Sequence, residues 1–161
     1  MTKKIHLLIG SNMGDRKAYL VKAAAEIDKK IGKIAKESRL YETQAWGLTN
    51  QPDFINQALE VETTLSPQET LQKLLAIETD MGRIRTEKWA ERTIDIDILL
   101  FADVIVQEAD LQIPHPRLPE RNFALVPLME LAGETEHPIL KTTIEDIYME
   151  SKDTLDVFEV E

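Results

Sequence analysis

Asp95 and Asp97 stand one residue apart in an apolar, β-branched run, Thr93–Phe101, directly after Arg83, Arg85, Lys88, Trp89 and Arg92. Side chains in a strand alternate faces, so the two carboxylates project the same way and Ile94, Ile96 and Ile98 face the other. Carboxylates roughly 7 Å apart along one strand repel each other, and a divalent cation removes that cost. Mg²⁺ suits the pair, because it takes oxygen ligands, keeps several waters and shares its shell with substrate phosphates. The neighbouring cations would neutralise phosphate oxygens, the arginines as bidentate forks. The pattern thus describes a site for a metal-bound polyphosphate. On spacing alone, an edge strand with two solvent-facing aspartates beside an exposed basic loop fits equally well.

The elements that must hold these residues follow from periodicity. Lys4–Ile9 reads as a buried strand ending at Gly10-Ser11-Asn12. A helix is predicted from about Asp15, with Leu20, Ala23, Ala24, Ile27 and Ile31 on one face and Gly32 as a left-handed stop. Extended segments follow at about Ile34–Thr43 and Phe54–Thr64, separated by the loop Gln44–Pro52. Ser66, Pro67 and Glu69 form a capping box with proline in the first turn of a second helix, which should end near Gly82. Its apolar stripe, Leu71, Leu74, Leu75, Ile77 and Met81, has Glu78 near its centre. A carboxylate aimed at a core is costly unless paired, so Glu78 is expected to point at the same polar cavity as the aspartates, or else to snorkel or pair with an Arg at a ragged helix end.

The order strand, helix, strand, strand, helix, strand predicts an α+β fold, a ferredoxin-like βαββαβ sandwich with an antiparallel sheet and helices on one face. Extra C-terminal strands and helices should follow: strand pieces near 104–106 and 111–113, then helices near Asn122–Leu131 and Ile144–Glu150. Pro114-His115-Pro116-Arg117-Leu118-Pro119 is not regular structure. The acidic end from Ser151 reads as a solvated tail or as a last strand through Val157–Val160.

Composition bounds the rest. A chain of 161 residues with 43% apolar content is expected to be a single domain over residues 1–161. It has no run long enough for a membrane span and no secretory signal, so a cytoplasmic protein is expected. The absence of cysteine removes disulfides, thiol nucleophiles and zinc–thiolate sites. A net charge of −10 argues against nucleic-acid binding, whereas the cationic excess at Arg83–Arg92, Arg117 and Arg121 suits a small anion. Neither a Walker A motif nor a dinucleotide-binding glycine fingerprint is present, so a nucleotide must be gripped by side chains and metal.

The segment Lys88–Leu99 resembles the signature of the 6-hydroxymethyl-7,8-dihydropterin pyrophosphokinase family of folate biosynthesis. Three further segments recur in that family's order: Ile9–Asn12; Tyr41-Glu42-Thr43 leading to Gln51–Asn56; and Ile113–Arg117 leading to Glu120–Phe123 and Val126-Pro127-Leu128. The resemblance covers about residues 5 to 131. It implies transfer of pyrophosphate from ATP to the hydroxymethyl group of the dihydropterin, with AMP as the other product. Asp95 and Asp97 match ligands of two Mg²⁺ ions; Arg83 and Arg92 match catalytic arginines. Glu78, Arg85, Trp89, Arg92, Ile98, His115 and Arg121 fall at ATP-binding positions. Thr43, Gln44, Ala45, Trp46, Phe54, Asn56, Asp95 and Phe123 fall at pterin-binding positions, with Phe54 and Phe123 as the sandwiching rings. A monomer is expected, with ATP and the pterin as partners and neither nucleic acid nor membrane. His6 and His137 match no role.

The sequence departs from the family at Ala90-Glu91, where Gly-Pro is common, and at Ala45-Trp46, where Pro-x is usual. Leu75, Asp110 and Gln112 replace polar or basic ATP contacts of some members. Two other readings of the residues remain at this point: a different Mg²⁺-dependent transferase using Asp-x-Asp, and a ferredoxin-like binding domain without catalysis.

Overall fold

The computed structural model describes residues 2–43, 53–82 and 94–160. Its elements run β1 (Lys3–Ser11), α1 (Arg16–Lys30), β2 (Lys33–Glu37), β3 (Leu40–Thr43), β4 (Phe54–Thr63), α2 (Pro67–Asp80), β5 (Asp95–Phe101), β6 (Val106–Gln107), β7 (Gln112–Ile113), α3 (Asn122–Ala132), α4 (Ile144–Glu150) and β8 (Phe158–Val160). The main sheet has the order β5-β1-β4-β3-β8, and β2 pairs with β4 beyond β3 along the same edge. Every pairing is antiparallel, as the ferredoxin-like order requires. The segment expected as one strand over 34–43 is two, broken at Ser38. That residue is buried, its Oγ accepting the Ala58 N–H and its own N–H donating to the Ala58 carbonyl.

Helix α1 buries Leu20, Ala23 and Ile27 against one sheet face, and α2 adds Leu74 and Ile77. Ile5, Leu7, Ile9, Ile55, Leu59, Val61, Ile94, Ile96 and Ile98 complete this core. A fully buried Leu or Ile stabilises by about 1.5–3 kcal/mol, so this layer fixes the strand register. The Ser66 capping box forms as expected: Ser66 Oγ accepts the Glu69 N–H and the Glu69 carboxylate accepts the Ser66 N–H. Gly32 is not the left-handed stop expected of it, since the positive-φ glycines among the described residues are Gly14 and Gly82. Its need is steric: a Cβ there would lie 2.0 Å from the Glu62 carbonyl oxygen on β4.

The opposite sheet face carries α3 and α4 over Leu8, Leu99 and Leu100, with Leu118, Leu125, Leu128, Ile144 and Ile147 from the covering segments. Strict alternation from Asp95 would put Phe101 on this face. A bulge between the His6–Leu100 and Leu7–Ile98 pairs places Leu99 and Leu100 both toward α3 and returns Phe101 to the α1/α2 core. The pieces expected near 104–106 and 111–113 form a separate ribbon of β6 and β7, and the tail does end in a strand, with Glu159 opposite Tyr41 of β3.

Candidate active site

Cross-strand partners share a face, so the register alone aligns Asp95 of β5, Gly10 of β1, Asn56 of β4 and Tyr41 of β3 in one row. Phe54, two residues before Asn56, and its partner Thr43 extend that face beyond the row, while Asp97 opposite Leu8 lies nearer α3. This is the α3 side of the sheet, as the hydrogen bond from Tyr41 Oη to Glu130 of α3 confirms (2.7 Å). Asp95, Asp97 and Phe54 are half-buried, whereas Thr43 and Asn56 are buried.

Gly10 makes room for the amide. A Cβ at that position would sit 2.3 Å from Asn56 Oδ1, so only glycine lets the side chain lie across the strand. Asn56 Nδ2 is buried with no hydrogen-bond partner among the described residues. An orphaned buried donor costs on the order of 1–3 kcal/mol and is what a ligand acceptor would satisfy.

Glu78 is 2% exposed, and its Oε2 accepts the backbone N–H of Ile96 at 2.7 Å. Since β5 is the sheet's edge strand, that N–H lies on the side away from β1. The carboxylate therefore fixes the strand between its two aspartates. Ile98 is buried in the α1/α2 core.

The segment after β7 supplies the cations and the ring. The His115 N–H donates to the Leu99 carbonyl (3.1 Å), anchoring the Pro-rich turn to β5. The backbone N–H of Arg117 donates to His115 Nδ1 (3.1 Å), so that nitrogen holds the lone pair and the ring proton sits on Nε2. Nε2 lies 4.0 Å from Asp97 Oδ1. Burial, reinforced by the Arg121 charge and opposed by Asp95, pushes the His115 pKa down to about 4, so the ring is neutral at pH 7. Burial also lowers the Arg121 pKa, against the attraction of Asp97 and Asp95, and its guanidinium lies 5.5 Å from the centroid of the Phe123 ring at the start of α3.

Asp95, Asp97, Thr43, Phe54 and Asn56 thus share one sheet face. His115, Arg121 and Phe123 join them from the segment that leads into α3, whereas Glu78 and Ile98 support the strand from behind. Gln44, Ala45, Trp46, Arg83, Arg85, Lys88, Trp89 and Arg92 lie outside the described residues.

Two residues bearing on the site were not legible as such. Gly10 carried a signal, a glycine inside an apolar strand. Arg16 carried none: its guanidinium donates to Glu42 Oε2 (2.5 Å) and to the Asp53 carbonyl (2.8 Å), holding Thr43 and Phe54 through their neighbours.

As a metal site, the pair offers two hard carboxylate donors on one face. No group of three or more His, Cys, Asp or Glu that could hold an ion occurs among the described residues. Such a set fits an ion that completes its shell with water and phosphate oxygens.

Known proteins resemble this chain over most of its length. The model of the 7,8-dihydro-6-hydroxymethylpterin-pyrophosphokinase family matches residues 6–133. A 2-amino-4-hydroxy-6-hydroxymethyldihydropteridine pyrophosphokinase of Aquifex aeolicus is 40% identical over 147 residues, covering 91% of each chain. One of the same name from Bacillus subtilis is 39% identical over 137 residues, covering 84% of this chain and 82% of that one. Among solved structures, wild-type Plasmodium falciparum HPPK-DHPS with pterin and p-hydroxybenzoate superposes with a TM-score of 0.72 at 20% identity, over 92% of this chain and 42% of that chain. At that identity the likeness speaks for the fold, and this chain spans less than half of that longer one.

Proposed function

The chain belongs to the 7,8-dihydro-6-hydroxymethylpterin-pyrophosphokinase family, and on that premise we propose that the row Asp95–Gly10–Asn56 is the floor of its pterin site and Asp95/Asp97 its metal site. The reaction moves pyrophosphate from ATP to the hydroxymethyl oxygen of 6-hydroxymethyl-7,8-dihydropterin, leaving AMP and the dihydropterin diphosphate, a step of folate biosynthesis. The observation that carries the assignment is the buried, unsatisfied Asn56 Nδ2 beside Gly10. A flat heterocycle with acceptors along its edge would satisfy that donor. Phe54 and Phe123 are the rings that would stack on its faces, with Thr43 beside them; Gln44, Ala45 and Trp46 are assigned to the pterin by the resemblance alone.

Asp95 and Asp97 would hold two Mg²⁺ ions, which when bound neutralise charge on the phosphates and polarise the attacking hydroxyl. The chain's own contribution is alignment and charge. His115, neutral and protonated on Nε2, donates a hydrogen bond to a phosphate oxygen without releasing its proton. Arg121 supplies a fixed positive charge between the phosphates and the Phe123 ring. Glu78 acts from behind, by holding Ile96. Arg83 and Arg92 are assigned to charge developing on the transferred group, and Arg85 and Trp89 to the nucleotide. We further read residues 1–161 as one catalytic domain, monomeric and cytoplasmic; no helix among the described residues is long and apolar enough to cross a membrane.

The test is to mix the protein with Mg²⁺, ATP and 6-hydroxymethyl-7,8-dihydropterin and identify the nucleotide formed, with Asp97→Ala alongside. AMP that requires the pterin and is lost in the variant is the expected result. ADP would replace the mechanism with ordinary phosphoryl transfer, and tight pterin binding without turnover would favour a binding domain.

A further inference from the structure

The family match ends at residue 133, yet the chain beyond it returns to the site. Helix α3 begins without a cap of its own: its N-cap residue, Arg121, makes no side-chain capping bond. The missing acceptor comes from 31 residues further on, where Asp153 Oδ2 accepts the Asn122 N–H at 2.8 Å. Asn122 answers with its own side chain, Nδ2 donating to the Asp153 carbonyl at 3.3 Å. Asn122 lies between Arg121 and Phe123, the two residues of this helix start placed in the site.

Asp153 is itself held in place. Its Oδ1 accepts the Leu155 N–H (3.0 Å) and its own N–H donates to Ser151 Oγ (3.2 Å). From Ser151 to Val157 the segment alternates half-buried and exposed residues, as an extended strap lying on a surface does. It then becomes β8, paired with β3, where Arg39 binds Glu159 (2.7 Å). The strap therefore joins two walls of the proposed pocket: the start of α3, carrying Phe123, and β3, which ends at Thr43.

We propose that Asp153 is a positioning residue for pterin binding: by capping α3 from the C-terminal strap it sets the direction in which Phe123 leaves the helix and faces the sheet row. An anionic cap is favoured at a helix N-terminus by the exposed N–H groups there, and fixing the first turn fixes the ring attached to it. The inference rests on the assignment of Phe123 to the pterin made above.

The experiment compares wild type, Asp153→Ala, Asp153→Asn, Asn122→Ala and Glu159→Gln by steady-state AMP formation, at a temperature where circular dichroism shows each folded. Asp153→Ala should raise the KM for the dihydropterin tenfold or more while kcat and the KM for ATP change less than threefold. Asn retains an acceptor oxygen, so Asp153→Asn should restore most of the affinity. Glu159→Gln, which loosens the strap only at β8, should leave both KM values within twofold. Asn122→Ala removes the second bond and keeps the cap, so about a threefold rise is expected even if Asp153→Ala does not fold. Unchanged pterin KM in Asp153→Ala and Asn122→Ala overturns the proposal, as does a loss shared by Glu159→Gln and tracking only the melting temperature. A wild-type protein that neither binds pterin nor makes AMP removes the site assignment itself, and this proposal with it.

Discussion

Glu78 and Ile96 are joined by a hydrogen bond of 2.7 Å from the strand's backbone N–H to the helix carboxylate, which ties the edge strand that carries both aspartates to helix α2. The bond is buried, so removing the carboxylate oxygen leaves the Ile96 N–H unsatisfied. Glu78→Ala should therefore lower stability by about 2 kcal/mol, in the range for leaving a buried donor without its acceptor. Activity should fall further than stability alone explains, because Asp95 and Asp97 flank the released residue. Glu78→Gln retains an acceptor and should keep most of both properties. Urea unfolding and AMP formation, measured on the three proteins, decide the matter; equal stability of wild type and Glu78→Ala would refute it.

Gly10→Ala tests the opposite side of the row. The added methyl would meet Asn56 Oδ1 at 2.3 Å and Cγ at 3.3 Å, so the amide must rotate away from its place on the sheet. The expected outcome is a rise in pterin KM on the order of tenfold, equivalent to about 1.4 kcal/mol, with the KM for ATP nearly unchanged. A variant with native pterin affinity would show that Asn56 does not need its observed position.

Much of this arrangement was legible from period and spacing. Ile94, Ile96 and Ile98 alternate with Asp95 and Asp97, and one buried face forces the other outward. Phe101 was not legible, because a bulge depends on the partner strand's register and not on the residues of β5. Gly32 announced itself as punctuation, but its reason lies 30 residues away in the carbonyl of Glu62. Glu78 stood out as a misfit on an apolar stripe, although its partner, a backbone N–H on another element, could not be read from side-chain patterns. The acidic tail read equally as solvated chain or as a last strand, and its contact from Asp153 to Asn122 was hidden because a single hydrogen-bonded cap has no periodic signature.

Histidine burial gives the apoprotein an acid-sensitive stability. His6, His115 and His137 all have pKa values lowered chiefly by burial, His115 to about 4, and His6 despite its hydrogen bond to Glu60. Below the unfolded value of about 6.5 the unfolded chain takes up protons that the folded chain refuses, so stability must rise with pH in that window. The contribution is complete above pH 6.5 and is lost as pH falls toward the folded values. Each histidine adds at most about 1.4 kcal/mol per pH unit to the slope. Urea midpoints in chelator should drop between pH 7 and pH 5, less steeply in His6→Gln. A flat profile over that range would contradict the neutral assignment.

The two nitrogens of His115 are assigned different jobs, and two substitutions separate them. Nδ1 accepts the Arg117 N–H at 3.1 Å and shapes the turn, whereas Nε2–H faces Asp97 and, in the proposed complex, a phosphate. Asparagine places an acceptor near the Nδ1 position but has no donor reaching as far as Nε2. Glutamine places a donor near Nε2 but leaves the Arg117 N–H without its acceptor. His115→Asn should thus keep stability within about 0.5 kcal/mol, the usual scale of a benign substitution, while the KM for ATP rises on the order of tenfold, about 1.4 kcal/mol. His115→Gln should reverse the pattern, losing about 1 kcal/mol of stability and keeping nucleotide affinity within threefold. Parallel losses of stability and ATP affinity in both variants would mean that the ring acts only as a structural plug, and the donor assigned to Nε2 would fall.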